Sequence, residues 1–434
     1  MNAQSPESTF SRQPTELITQ GKTKWIYQDP ENSDQVILVS KDDITAGDGK
    51  KHDIISGKAR LSNQTTSNVF EFLANCKLPV GFIRRLDEVS FVAPKCRMLP
   101  YEVVVRREAH GSYLKRNPQL RKGQLFSKLV VEFYLKTKGR RWKQFELTCD
   151  DPLIGYTDGS DQIQLLNPAV VSSEPFLTLP TGEVFEQPEE WKLFAEMRTI
   201  ARRAFLHLEK AWQLEGRKLV DFKVEFGLST KQQLLLADVI DNDSWRVVEN
   251  DRYIDKQLYR DGGSLNEVEA SYRRVAAITS HFRVPSQRII LWRGSDSDNV
   301  EVFTRALGSL DSLVTVVTCS AHKEPVMATL KLQQLAQETP DSVVIAYIGR
   351  SNGAGPTLSA MSTLPVITVP ASAKEFPEDV WSSLRAPSKV PVMTVLEPSN
   401  AVLAALQILS ARNPIIYARL REELESRAVN TIQI

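Results

Sequence analysis

Beyond Arg288 the sequence alternates short β-rich runs with stretches of helical spacing, and few architectures accept that alternation. The runs are Ile289–Trp292, Val314–Thr318, Ser342–Ile348 and Pro365–Val369. Strands that return in one direction need crossover connections, so this texture predicts a parallel sheet in an α/β layer arrangement. Helices at about Ala401–Leu409 and Pro414–Arg427 are expected to close it. A chain of 434 residues exceeds one compact core. The parallel region is therefore read as a second domain, residues 284–434, entered through the break at Val284-Pro285.

The preceding region reads as α+β and as a first domain, residues 15–283. A hairpin is expected from Lys22–Gln28 and Gln35–Ser40 around a turn at Asp29–Asn32. Helical spacing marks Lys58–Ala74, Glu189–Leu214 and Leu265–His281. Strands are expected at Phe91–Arg97, Glu102–Arg107, Lys218–Phe226 and Gln233–Ile240. Lys136–Gln187 reads as a long irregular loop with short strands. Residues 1–14, rich in Ser, Gln and Pro, are expected to form a flexible tail.

Composition narrows the function classes. A formal net charge of +1 gives no global field for nucleic acid or an acidic membrane. No apolar run approaches a membrane span, and the N-terminus lacks the order of a signal peptide. Cys76, Cys96, Cys149 and Cys319 form no CxxC pair, which argues against zinc or disulfides. A soluble, cytoplasmic protein is expected.

Three clusters in the first domain carry chemistry. Lys22 and Lys24 share a face if both lie on a strand, and two ammonium groups beside Gly21 suit triphosphate oxygens. A solvated edge strand guarded by lysines fits the same residues. In Leu219–Gly227, Asp221, Lys223 and Glu225 share one face while Val220, Phe222, Val224 and Phe226 turn to a core. Alternating charges on one face are costly unless a metal or phosphate offsets them, though an exposed sheet face would also carry them. The third cluster, Leu236–Arg246, brings Asp238, Asp241 and Asp243. Carboxylates from adjacent strands supply oxygen ligands suited to Mg²⁺, and Arg246 offers a planar fork for a carboxylate.

In the second domain, Gly294-Ser295-Asp296-Ser297-Asp298 follows the first strand. It suits either an anion at a helix N-terminus or a plain N-cap. It is not GxGxxG, so NAD is not indicated. His322, followed by Lys323, lies at the carboxyl end of a presumed parallel strand, where such sheets bind ligands, and is placed to shuttle a proton. His52, His110, His207 and His281 read as surface or packing groups. Gly349–Pro356 holds three glycines that permit close backbone approach, as a plain loop also would.

The ordered motifs Gly21–Lys24, Ser40–Gly47, Val105–Ser112, Asp221–Gly227, Leu236–Arg246 and Asp255–Asp261 resemble the phosphoribosylaminoimidazole-succinocarboxamide synthetases. That resemblance implies an ATP-grasp-like cleft of two subdomains. ATP would phosphorylate carboxyaminoimidazole ribotide, and L-aspartate would displace the phosphate. It further implies that Lys22 and Lys24 contact ATP, and that Glu225 and Asp238 hold Mg²⁺. Arg106, Ser112 and Asp243 would bind the ribotide, while Lys223, Asp221 and Arg246 line the reaction centre. The family usually has Lys-Asp-Asp shortly before an Asp-Pro; here the loop from Lys136 to Asp151 is altered.

Residues 288–427 resemble the carboxylase domain fused to that synthetase in animal bifunctional enzymes. This implies a flavodoxin-like three-layer fold, a homo-octamer, and addition of CO₂ to aminoimidazole ribotide without ATP or biotin. His322 would manage the proton and Lys323 the new carboxylate. Ser295, Asp296, Asp298, Arg350, Ser351 and Asn352 would bind the ribotide. Arg293, Glu324 and Ala360 depart from the family's Met, Gly and Gly. The alternative is an active synthetase carrying a non-catalytic, carboxylase-like oligomerisation domain.

Overall fold

The structure is a computed structural model describing residues 16–46, 51–137, 139–157, 159–171, 174–185 and 190–428. The tail 1–14, Gly47 of the second motif, Lys138 of the altered loop and the expected helix start at Glu189 lie outside the described residues. The chain forms two compact units. One runs to Arg283 and takes back the chain from Arg421, and the other is Val284–Leu420. The last helix, Pro414–Arg427, thus begins in the second unit, and its final turns belong to the first.

The first unit holds two main antiparallel sheets. In the five-stranded one the order is Leu17–Gln20, Lys24–Gln28, Gln35–Ser40, Ser90–Pro94, Arg84–Arg85. The hairpin forms as expected, with Tyr27 opposite Ile37. Its strand begins at Lys24, however, because Lys22 and Thr23 form a bend. The nine-stranded sheet centres on Cys96–Glu108 and Lys218–Ser229, flanked by Leu125–Leu135 and Trp245–Glu249. Leu234–Ala237 pairs with the far end of Lys218–Ser229. That strand stops three residues short of the expected Ile240, since Asp238 adopts a left-handed backbone (φ 65°).

Helix Glu190–Leu214 covers the larger sheet. Its Phe194, Met197, Ala201, Phe205 and Trp212 recur at helical spacing and are buried. Phe205 meets Phe222 edge-on at 5.4 Å, and Trp212 meets Trp245 likewise. Helices Lys58–Asn75 and Leu265–Thr279 pack against each other. The second starts where Ser264 and Glu267 form a reciprocal capping box, a device worth about 1 kcal/mol.

In the second unit all five strands are parallel, in the order Val314–Thr318, Arg288–Arg293, Ser342–Ile348, Val366–Pro370, Met393–Thr394. Alternate side chains feed two cores. Ile289, Leu291, Val343, Ile345 and Ile367 meet Phe303, Leu307, Leu406 and Ile416 on one face. Ile290, Trp292, Val344 and Ala346 meet Ala328, Leu332 and Leu358 on the other. Burial on both faces explains why these runs are continuously apolar.

Candidate active sites

The strand Lys218–Ser229 organises the first site, because its polar face is one row of charges. Register sets Asp221 opposite Arg106 on one neighbour and Arg246 on the other. Both arginines bond its Oδ2, at 3.1 and 2.6 Å. Arg106 also donates to Glu132 at 2.7 Å and is buried. Breaking one partner of such a buried set costs about 3–5 kcal/mol. Arg106, Asp221 and Arg246 therefore form a linked set beside the open cleft, and none of the three is in its lining. Gly111 (φ 56°) leaves room for the Arg246 guanidinium, which a Cβ would strike. Ser112 opens the short helix that follows Gly111 and lies outside the cleft lining.

Two residues along the strand the row enters a cleft of about 480 Å³. Lys22, Lys24, Lys136, Lys223, Lys256 and Arg260 line it with Glu102, Asp151, Glu225, Asp238 and Asp243. Lys223 pairs with Glu102 at 2.9 Å, Lys136 with Glu225 at 2.6 Å, and Lys24 with Asp238. Burial pushes the Lys24 ammonium down to about 8, against the pull of Glu225 and Asp241. For Lys223, burial is outweighed by Glu102, so its pKa rises. Asp243 receives Lys256 Nζ at 2.6 Å and Tyr272 Oη at 2.5 Å. Burial opposes its ionisation, but Lys58 and Lys256 hold its pKa below the usual carboxylate range.

An apolar slot of about 360 Å³ adjoins this cleft and shares Lys24, Lys136, Glu225 and Asp238 with it. Ile18, Ile26, Val36 and Leu38 of the small sheet face Met98 and Ala237 of the large one. Gly81 admits the backbone contact at Ala237, since a Cβ there would lie 3.2 Å from its Cα. A flat apolar group thus fits beside a cluster of lysines and carboxylates. Glu225 on its strand and Asp238 just past the end of Leu234–Ala237 present hard oxygen donors. No group of three or more potential ligand side chains occurs among the described residues. Two protein carboxylates completed by phosphate oxygens match the habit of Mg²⁺.

The second site sits at the carboxyl ends of the parallel strands, in a cavity of about 590 Å³. Ser295, Asp298, His322, Lys323, Arg350 and Phe376 are among its lining. Asp298 Oδ2 accepts the Ser295 N–H at 3.2 Å, and the carboxylate packs over Gly349, where a Cβ would lie 2.6 Å from Oδ1. Arg350 stacks 4.5 Å above the Phe376 ring. Asp296, Ser351 and Asn352 do not line this cavity. Asp296 is tied to Arg293 and Thr318. The Ser351 N–H donates to Asp379 at 3.3 Å. Asn352 is buried and donates to Ser383 at 2.6 Å and Thr368 at 3.3 Å.

None of the three divergent positions lines the cavity, but Arg293 donates to the Asp298 carbonyl at 3.4 Å and the Glu324 N–H to the Ser320 carbonyl at 2.8 Å. Arg293 bonds Thr318 at 2.8 Å, Glu324 precedes helix Pro325–Glu338, and Ala360 is an exposed helix end.

Comparison with known proteins agrees with both halves. The SAICAR synthetase family matches residues 17–147 and 183–279, and the AIR carboxylase family matches 288–429. A Caenorhabditis elegans protein named probable multifunctional protein ADE2 is 37% identical, covering 96% of this chain and 95% of that protein. The human bifunctional phosphoribosylaminoimidazole carboxylase/phosphoribosylaminoimidazole succinocarboxamide synthetase is 33% identical, covering 94% and 93%.

The chain belongs to this bifunctional carboxylase–synthetase family.

Sequence reasoning gave Glu102 no functional role, and it marked Lys136 and Asp151 only as the bounds of an altered loop. All three line the synthetase cleft through cross-strand pairing and a loop return: Asp151 Oδ1 accepts the Thr137 N–H at 2.8 Å. The apolar slot had no motif, because its residues are ordinary strand apolars from separate hairpins. Histidine pairing was also invisible. His110 bonds Tyr253 at 2.7 Å and Glu108 at 3.2 Å, His52 meets Asp43 at 2.7 Å, and His281 meets Glu215 at 3.3 Å. None of these carboxylates lies at helical ligand spacing.

Proposed function

We propose that the two sites act in sequence on one ribotide. At the second unit, aminoimidazole ribotide is carboxylated by CO₂: its nucleophilic ring carbon attacks CO₂, and His322 takes the ring proton. Lys323 neutralises the new carboxylate, and Ser295, Asp298 and Arg350 hold the ribotide. At the first unit, the carboxylate of carboxyaminoimidazole ribotide takes the γ-phosphoryl group of ATP, releasing ADP. The amine of L-aspartate then attacks the acyl carbon, phosphate leaves, and the amine loses a proton.

The observation that carries the synthetase reading is the apolar slot opening directly onto the lysine–carboxylate cleft. Adenine occupies the slot, and Lys22 and Lys24 receive the phosphates. Glu225 and Asp238 would hold Mg²⁺, which neutralises charge on the transferring phosphoryl group. Lys223 and Asp243 face the reacting end, and the ribotide reaches past them to Arg246 and Ser112. Arg106 and Asp221 act there as positioning residues. The two antiparallel sheets flanking the slot support an ATP-grasp-like cleft. The 2-1-3-4-5 order of the parallel strands, covered on both faces, supports a flavodoxin-like second unit. Exposed apolar groups on that unit, including Val326, Leu330, Trp381 and Leu384, support assembly into a homo-octamer. A cytoplasmic location fits four free cysteines and the lack, among described residues, of a helix long and apolar enough to cross a membrane.

Separate assays of the two half-reactions test this reading. Glu225→Gln is expected to lower aspartate-dependent ADP release by about a hundredfold or more while carboxylation persists. His322→Ala is expected to do the reverse. If the parent chain forms no carboxyaminoimidazole ribotide from aminoimidazole ribotide and bicarbonate, the second unit is a scaffold only.

A further inference from the structure

The ladder between Cys96–Glu108 and Leu125–Leu135 is irregular at one place. Arg106 faces Val130, but Glu108 faces Leu125, so Phe126–Leu129 bulge out of the second strand opposite Arg107. Bulges re-aim side chains beside active sites and leave ladder groups unpaired. Strand alternation points Arg106 toward Glu132 and Asp221, and Arg107 toward helix Glu190–Leu214, where Glu209 holds it at 2.6 and 3.1 Å. The Leu129 N–H is left without a ladder carbonyl.

The acceptor it finds comes from the end of the chain. Glu425, 1% exposed, accepts the Leu129 N–H at 3.1 Å through Oε2 and Arg107 Nη2 at 2.7 Å through Oε1. Arg202 and Arg421 also donate to it, at 3.2 and 2.9 Å. A buried carboxylate with four donors is costly to assemble and costlier to break. Its contact is specific to the bulge, at the residue next to Val130, which faces Arg106.

We infer that Glu425 is a positioning residue of the synthetase: it stands in for a ladder acceptor and, through Leu129 and Arg107, fixes the backbone on both sides of Arg106, whose guanidinium holds Asp221 and with it Arg246. This inference rests on the proposed placement of ribotide at the Arg246 end of the cleft. A chain ending before Arg421 keeps every residue that lines the cleft and loses this support.

The test is steady-state kinetics of the full chain. Glu425→Ala is expected to raise the KM for carboxyaminoimidazole ribotide about tenfold while the KM for ATP stays within twofold and carboxylation is unchanged. Glu425→Gln, which keeps the size and an acceptor but not the charge, is expected to raise the ribotide KM about threefold. It decides the matter alone if the alanine variant does not fold. Glu422→Ala, on the same helix but paired to an exposed Arg203 at 3.0 Å, is expected to change neither constant. Parallel rises in both KM values, or a ribotide KM within twofold in the glutamine variant, overturn the inference. Arg246→Ala separates the two levels. If it leaves the ribotide KM unchanged, the placement of the ribotide is wrong. If it raises that KM while the Glu425 variants do not, only the positioning role fails.

Discussion

Asp221 lies between two arginines, and that placement explains how a residue can be central to a site without touching it. The alternation Asp221, Lys223, Glu225 was legible in the sequence, because a strand fixes which residues share a face. Which of the three meets the cleft was not, because register with Cys96–Glu108 and Trp245–Glu249 decides it. Asp221→Asn is expected to leave Arg106 and Arg246 undercompensated and to lower stability by about 3–5 kcal/mol, measured by denaturant unfolding. Gly111→Ala places a Cβ against the Arg246 guanidinium at a positive φ. It is expected to raise the ribotide KM several-fold and leave the KM for ATP unchanged.

At the scale of elements, helices and strands with a strong period were readable to within a few residues. Two exceptions have local causes, a bend at Lys22 and a left-handed residue at Asp238; the interior strand Leu125–Leu135 was not expected, and the expected strand Phe91–Arg97 divides between Ser90–Pro94 and Cys96–Glu108. Helix Glu190–Leu214 buries His207, whose Nδ1 lies 2.5 Å from the Arg203 carbonyl. Burial lowers its pKa from 6.5 to about 4. The folded state therefore binds fewer protons than the unfolded state in that window, and stability falls as pH drops from 6.5 to 4. A shift of this size corresponds to about 3 kcal/mol. Thermal unfolding of His207→Gln is expected to show a smaller loss of stability on acidification than the parent. In the second unit, Asn352 reads as a ligand residue in sequence and as a brace in structure, since its amide joins the Gly349–Pro356 loop to Thr368 and Ser383. Asn352→Ala is expected to cost about 1–3 kcal/mol of stability, with a smaller effect on ribotide KM than Ser295→Ala.

For the whole molecule, the order of the two halves and the texture change near Arg288 were visible, because a parallel sheet and an antiparallel one leave different patterns. The return of the chain from Arg421 into the first unit was not, since no local pattern encodes a long-range ion cluster. The apolar slot was hidden for the same reason. The central claim is that one chain performs both steps, with separable sites. The most direct measurement supplies the purified protein with aminoimidazole ribotide, bicarbonate, L-aspartate and ATP and follows the succinocarboxamide ribotide by chromatography. The account predicts product from the parent chain, none from His322→Ala, and restored product when carboxyaminoimidazole ribotide is added to that variant. Product formation by His322→Ala at the parent's rate from aminoimidazole ribotide would contradict it.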